Sequence, residues 1–295
     1  MNYYSISSIS TVFILLILFQ FNPIKSYSQY GRVFDEMILS SEILDMDRKY
    51  AVYLPPDYES SSRKYPVLYL LHGYSDNQTG WVQFGEVKFI ADQAIAEGSA
   101  TSMIIVMPDA DTNVIGYVNT IDEQWLYEDF FFEEFIPHIE KTFRVKPEKG
   151  YRAIAGLSMG GGGSLIYALH RPDLFIACAP LSGWFGATKI EELEVSLQNA
   201  GIEYDPEKLE PYFNHYNPFK LIEETSTSEL NKVSYYIDCG DDDFLFEGNS
   251  MLHIALRKKG VNHEFRVRNG GHTWTYWRES LPEVLHFVSQ RFRRF

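Results

Sequence analysis

Tyr151-Arg152-Ala153-Ile154-Ala155, running straight into Gly156-Leu157-Ser158-Met159-Gly160, decides how this chain folds. The first five residues have the length and apolar content of a short buried strand. The next five set a serine in a G-x-S-x-G turn, and Gly161-Gly162-Gly163-Ser164-Leu165-Ile166-Tyr167-Ala168-Leu169-His170 then reads as a helix opened by glycines. A serine on so tight a strand-to-helix turn has strained backbone angles and needs small neighbours. The turn pushes its hydroxyl out of the fold, over the positive end of the helix, where a nucleophile belongs. A Gly-rich turn of purely structural purpose is the competing account, and the flanking strand and helix count against it.

A serine hydroxyl is a poor nucleophile at neutral pH, so the reading requires a base and an orienting acid further along. Of the eight histidines, His138, His170, His253 and His286 fall in helix-like segments, where a surface or boundary role is the simpler account. His263 sits inside an expected strand and His215 in an aromatic-rich insertion. His272 is different. It follows the strand-like Glu264-Phe265-Arg266-Val267-Arg268, lies in a turn marked by Gly270-Gly271, and precedes Thr273-Trp274-Thr275-Tyr276-Trp277. A loop histidine past a late strand is where the base falls when the chain order is Ser, acid, His.

The acid is then expected at the end of the preceding strand, Val233-Ser234-Tyr235-Tyr236-Ile237-Asp238-Cys239, which runs into Gly240-Asp241-Asp242-Asp243-Phe244. Chemistry alone does not choose among the three aspartates, because turns favour Asp for local hydrogen bonding anyway.

Four ordered motifs carry a resemblance. Leu70-Leu71-His72-Gly73-Tyr74, Gly156-Leu157-Ser158-Met159-Gly160-Gly161, the Gly240 to Asp243 turn and Gly271-His272-Thr273-Trp274 together resemble the esterase D / feruloyl esterase family. That family has the α/β-hydrolase fold and includes S-formylglutathione hydrolases, acetylxylan esterases, siderophore esterases and mycolyltransferases. The resemblance extends to Tyr50-Ala51-Val52-Tyr53-Leu54-Pro55-Pro56-Asp57-Tyr58 and covers nearly all of the chain past its first residues. The family's acid stands third after the glycine of a G-x-x-D turn, which selects Asp243. The same comparison places the oxyanion hole at the backbone N–H groups of Met159 and Tyr74. For His72 the resemblance leaves a turn-holding role in preference to proton transfer.

The first residues read as a leader. Val12-Phe13-Ile14-Leu15-Leu16-Ile17-Leu18-Phe19 is apolar but short for a bilayer, and Ser26-Tyr27-Ser28 offers small residues to a signal peptidase. No Lys or Arg precedes the apolar run and Lys25 follows it, so an uncleaved anchor is the alternative. The expectation is a cleaved signal peptide over 1–28, a secreted or periplasmic product, and no lasting membrane attachment. Residues 29–295 then form one catalytic domain, a length that α/β folds use. A formal net charge of −14 repels phosphate backbones, which excludes a nucleic-acid partner. The two cysteines, Cys178 and Cys239, lie in expected buried strands, where two free thiols are the simpler state.

Apolar strands alternating with helices imply a mainly parallel sheet covered on both faces. A long amphipathic helix is expected from Asp129 to Phe143, ahead of the nucleophile strand. Residues 183–231 interrupt this order and read as a partial cap over the substrate cleft, or as an insertion that packs on itself. Asp109-Ala110-Asp111-Thr112-Asn113 imitates the start of a calcium loop. Val114 stands where glycine is needed and Thr120 where the final glutamate belongs, so no metal is expected. Among the aromatics, which make up 16% of the chain, Trp125, Trp184 and Trp274 are candidates for contact with a sugar or phenolic acyl group. The composite expectation is a secreted serine ester hydrolase without metal or cofactor. Its expected substrates are feruloyl or acetyl esters on plant polysaccharide. A short-chain or siderophore esterase, an acyltransferase and an idle carbohydrate-binding protein are the alternatives.

Overall fold

The computed structural model describes residues 30–110 and 116–292, so the leader expected over 1–28 and residues 111–113 of the calcium-like stretch lie outside the described residues. Eight strands form one sheet: β1 Arg32–Ser41, β2 Met46–Leu54, β3 Val67–Leu71, β4 Ile104–Pro108, β5 Arg152–Leu157, β6 Ala177–Leu181, β7 Ser234–Gly240 and β8 His263–Arg268. Their order across the sheet is β1-β2-β4-β3-β5-β6-β7-β8. The pairs β1/β2 and β2/β4 are antiparallel, and every later pair is parallel.

The central strands β3, β4 and β6 are apolar and buried at every position because both faces of the sheet are covered there, whereas the edge strand β8 carries charged, partly exposed residues. Along β3, Val67, Tyr69 and Leu71 point to one layer, and Leu68 and Leu70 to the other. The first layer holds α5 Met159–His170 and α10 Phe246–Lys259, and the second holds the short α1 Gly80–Gln83, α2 Val87–Ala96 and α11 Trp274–Arg291. This is the α/β-hydrolase arrangement, a mainly parallel sheet with helices on both sides.

The helix expected from Asp129 to Phe143 is present but divided. An α-helical turn, α3 Tyr127–Asp129, passes through π-helical turns at Phe130–Phe135 into α4 Ile136–Thr142. Pro137 has no N–H to donate back along the helix, and Phe130, Phe131 and Phe135 all turn into the core there.

Between β6 and β7 lie α6 Ile190–Asn199, α7 Pro206–Tyr216, α8 Pro218–Glu224 and α9 Thr227–Leu230. The two outer helices are thinly anchored: α6 buries only Leu197, and α7 only Phe213. No helix of the described residues is long and apolar enough to cross a membrane.

Candidate active site

Ser158 stands one residue past β5 with φ 53° and ψ −116°, a strained combination for a residue with a side chain. The surroundings hold it there. Its N–H donates to the Leu181 carbonyl at 2.9 Å, and its own carbonyl accepts from Gly162 at 3.0 Å and Trp184 at 2.9 Å. Gly160 makes the turn sterically feasible, since a Cβ there would sit 2.5 Å from the His72 carbonyl oxygen.

Two further strand ends converge on this serine. His272, past β8, places Nε2 2.9 Å from Ser158 Oγ. Its Nδ1 lies 3.0 and 2.9 Å from the two carboxylate oxygens of Asp243, on the turn after β7. Burial pulls the Asp243 carboxyl up, but hydrogen bonds from His272, the Leu245 amide and Ser182 outweigh it and hold the group below its ordinary value. A carboxylate only accepts, so Nδ1 carries the imidazole proton and Nε2 is left to accept from the serine hydroxyl. The ring is held between Phe244 and Trp277, with centroids 4.6 and 4.8 Å away. The other aspartates are placed differently: Asp241 accepts the Gly270 N–H at 3.0 Å, and Asp242 is exposed.

Met159 opens α5, so its N–H belongs to a first turn that has no acceptor within the helix. Tyr74 lies past β3, and both residues border the same cavity. His72 is buried and committed. Its Nε2 accepts the Ala110 N–H at 2.8 Å, while Nδ1 donates to the Gly73 carbonyl at 2.7 Å. Burial pushes this imidazole down to about 4. It is a neutral post tying the β3 loop to the end of β4.

Beside Ser158 opens a cavity of about 640 Å³. Its walls are mostly apolar: Tyr117 and Ile166 from the body, Leu193 and Leu197 from α6, Tyr212 and Phe213 from α7. Of the three tryptophans singled out in the sequence, Trp184 lines this cavity and is half exposed. The other two lie elsewhere. Trp125 stacks on Tyr127 and donates its indole N–H to the Gly116 carbonyl, and Trp274 packs edge-on against Trp81 and Trp277. Phe244, exposed on the cavity's rim, was not singled out in the sequence. Its only signal there was its place next to the aspartate run.

Cys178 and Cys239 are both buried and free. One group of side chains has metal-ligating chemistry among the described residues: Glu128, His170 and His215, whose ligand atoms lie within 4.8 Å of one another. Both ring nitrogens of His170 are already hydrogen-bonded, to Glu128 and to the His215 carbonyl.

A serine on a strained turn after the central strand, facing a histidine and an aspartate from later strand ends, defines an α/β-hydrolase with a candidate Ser-His-Asp site. The chain belongs to the putative esterase family, a family of carboxylic ester hydrolases, whose model matches residues 41–288. It is similar to an endo-1,4-beta-xylanase/feruloyl esterase of Xylanibacter ruminicola, at 30% identity over 79% of this chain and 28% of that protein. The chain thus spans under a third of that relative's length. An acetyl esterase of Caldicellulosiruptor saccharolyticus is 25% identical over 79% of this chain and 86% of its own. A solved ferulic acid esterase superimposes with a TM-score of 0.78 at 36% identity, covering 89% of this chain and 99% of that one.

Proposed function

We propose that this protein hydrolyses feruloyl or acetyl esters of plant polysaccharide by a serine acyl-enzyme mechanism, as a single exported domain. The observation that carries the reading is the hydrogen-bonded line from Asp243 through His272 to Ser158, at 2.9–3.0 Å throughout, beside a large apolar cavity.

In this reading Ser158 Oγ attacks the ester carbonyl as His272 Nε2 takes its proton. Asp243 holds the ring and stabilises the imidazolium. The N–H groups of Met159 and Tyr74 receive the oxyanion. His272 then returns the proton to the leaving alcohol, and water repeats the sequence on the acyl-serine. The residues need no metal or cofactor for these steps.

The size of the cavity favours the bulkier acyl group, because acetyl would leave most of about 640 Å³ unfilled. Trp184 is suited to the substrate at its edge. The test is to assay the purified protein on methyl ferulate, acetylated xylan and p-nitrophenyl acetate, beside Ser158→Ala. Methyl ferulate is expected to have the highest kcat/KM, with Ser158→Ala at least about 10³-fold slower on every ester. Equal turnover by Ser158→Ala ends the serine mechanism. Preference for acetylated xylan replaces the feruloyl reading with the acetyl one.

A further inference from the structure

His170 is the last residue of α5, and its side chain is only 10% exposed. Its Nδ1 lies 2.6 Å from Glu128 Oε1 and its Nε2 2.8 Å from the backbone carbonyl of His215. Both neighbours are acceptors. A neutral imidazole has one N–H and satisfies one of them, whereas an imidazolium satisfies both. The site favours the cation on three counts: a carboxylate 91% buried, the C-terminal end of α5, and the C-terminal end of α7, where His215 is the penultimate residue.

What the bridge joins is informative. Glu128 belongs to the body, in α3, and His215 to the insertion, in α7. The remaining ties of α7 to the body are few. Tyr212 donates its hydroxyl to the Asn119 carbonyl at 3.0 Å, Tyr216 accepts the Asn119 N–H at 3.3 Å, and Lys208 meets Glu123 at 2.7 Å in an exposed pair. With Phe213 its sole buried side chain, α7 has little apolar burial to hold it. Yet Tyr212, Phe213 and Tyr216 form one wall of the cavity beside Ser158.

We propose that His170, held as an imidazolium between Glu128 and the His215 carbonyl, is a positioning residue that seats α7 and thereby sets the wall of the acyl cavity. The proposal rests on the esterase reading of Ser158. Its consequence is a pH dependence confined to bulky acyl groups. Burial lowers the affinity of His170 for its proton, but Glu128, by hydrogen bond and charge, and the His215 carbonyl outweigh this and raise it above the ordinary value.

The titratable groups around it are Glu128 and Asp129 from α3, Tyr167 and Arg171 at the end of α5, and Tyr212, His215 and Tyr216 from α7. Burial lifts the three tyrosines above their usual range, and Arg171 is paired with Asp173. Burial and then the His170 charge push His215 down. His170 is therefore the member of this cluster that holds its proton to higher pH than an ordinary imidazole, and the clamp is present at lower pH and lost as pH rises.

The experiment measures kcat and KM for methyl ferulate and p-nitrophenyl acetate across pH in the wild type, His170→Leu and Glu128→Gln. In the wild type, KM for methyl ferulate should rise on the alkaline side while KM for the acetate stays level. His170→Leu should show that raised KM at every pH, about tenfold, with kcat within about twofold. Glu128→Gln should move the rise to lower pH, which a purely structural role would not do. Long-range ¹⁵N–¹H spectra of the wild type followed across pH should show His170 protonated on both nitrogens to higher pH than an ordinary imidazole, a readout that needs no variant to fold. A His170 that holds its proton to no higher pH than an ordinary imidazole, or losses equal for the two esters, overturns the proposal. A wild type that cleaves no ester overturns the esterase reading instead and leaves the NMR result to stand.

Discussion

Asp243→Asn is the most discriminating change in the site. Asp243 is buried, accepts the Leu245 N–H at 2.8 Å, and faces Nδ1 of His272 with both oxygens. Asparagine has the same shape and can keep the Leu245 bond through its carbonyl oxygen. Its amide nitrogen then points at Nδ1 as a donor, so the imidazole is held with Nδ1 bare and its proton on Nε2. In that tautomer Nε2 faces Ser158 as a donor and cannot take the hydroxyl proton. The same substitution in a serine protease triad lowers kcat by about 10⁴, or roughly 5 kcal/mol of transition-state stabilisation. A similar loss is expected here in a steady-state assay on methyl ferulate, with an unchanged circular dichroism spectrum. Asp241→Asn and Asp242→Asn are the controls, because the first serves the turn through Gly270 and the second faces solvent. Each should stay within about threefold of wild type. Asp243→Asn activity within tenfold of wild type, or a loss of that size in Asp242→Asn, would refute the assignment of the acid.

Gly162→Ala puts a Cβ 1.9 Å from the Trp184 carbonyl oxygen, a backbone atom that cannot swing aside. A loss of about 1–3 kcal/mol is expected in urea melts, with activity falling as the Trp184 loop is displaced. Burial holds His72 down at about 4, so the unfolded chain takes up that proton first and stability falls between about pH 6.5 and about pH 4, by up to roughly 3 kcal/mol. Urea melts of His72→Gln across that window should show this acid limb flattened. Mass spectrometry of protein from its native host is expected to find a mature N-terminus near Gln29, and an intact Met1 in a soluble cytosolic fraction overturns export.

The strand, turn and helix around Ser158 were legible because their signals are local: an apolar run, glycines where the backbone crowds, then a helical stretch. The same holds for the all-apolar strands, which announce a sheet covered on both faces. The aspartate run was legible only as a set. What separates Asp243 from its neighbours is the fold of the turn, in which Asp241 continues the ladder by donating its N–H to the Arg268 carbonyl, while Asp243 turns back to the Gly240 carbonyl and is buried. The roles of Trp125 and Trp274 were not legible, since nothing in composition tells a loop tryptophan that lines a cleft from one that packs on the body. His170 was hidden for a different reason. Its partners lie 42 and 45 residues away in opposite directions, so helical spacing marks it only as a boundary position.

The chemistry and the selectivity sit on parts of very different firmness. Ser158, Asp243 and His272 follow β5, β7 and β8, and the first two of these strands are buried almost throughout. The acyl wall comes from α6 and α7, with one buried side chain apiece. Leu197→Ala tests that division, because Leu197 is both the anchor of α6 and part of the cavity lining. In a close-packed core such a truncation costs about 2–5 kcal/mol of global stability. Here α6 can loosen without unfolding the sheet, so the main urea transition should move by less than about 1 kcal/mol. The effect should appear instead as a KM for methyl ferulate raised several-fold, with kcat and the p-nitrophenyl acetate reaction nearly unchanged. A full core-sized loss of stability, or a fall in kcat on both esters, would mean that the insertion and the catalytic frame fold as one unit and that the cavity wall is as rigid as the triad.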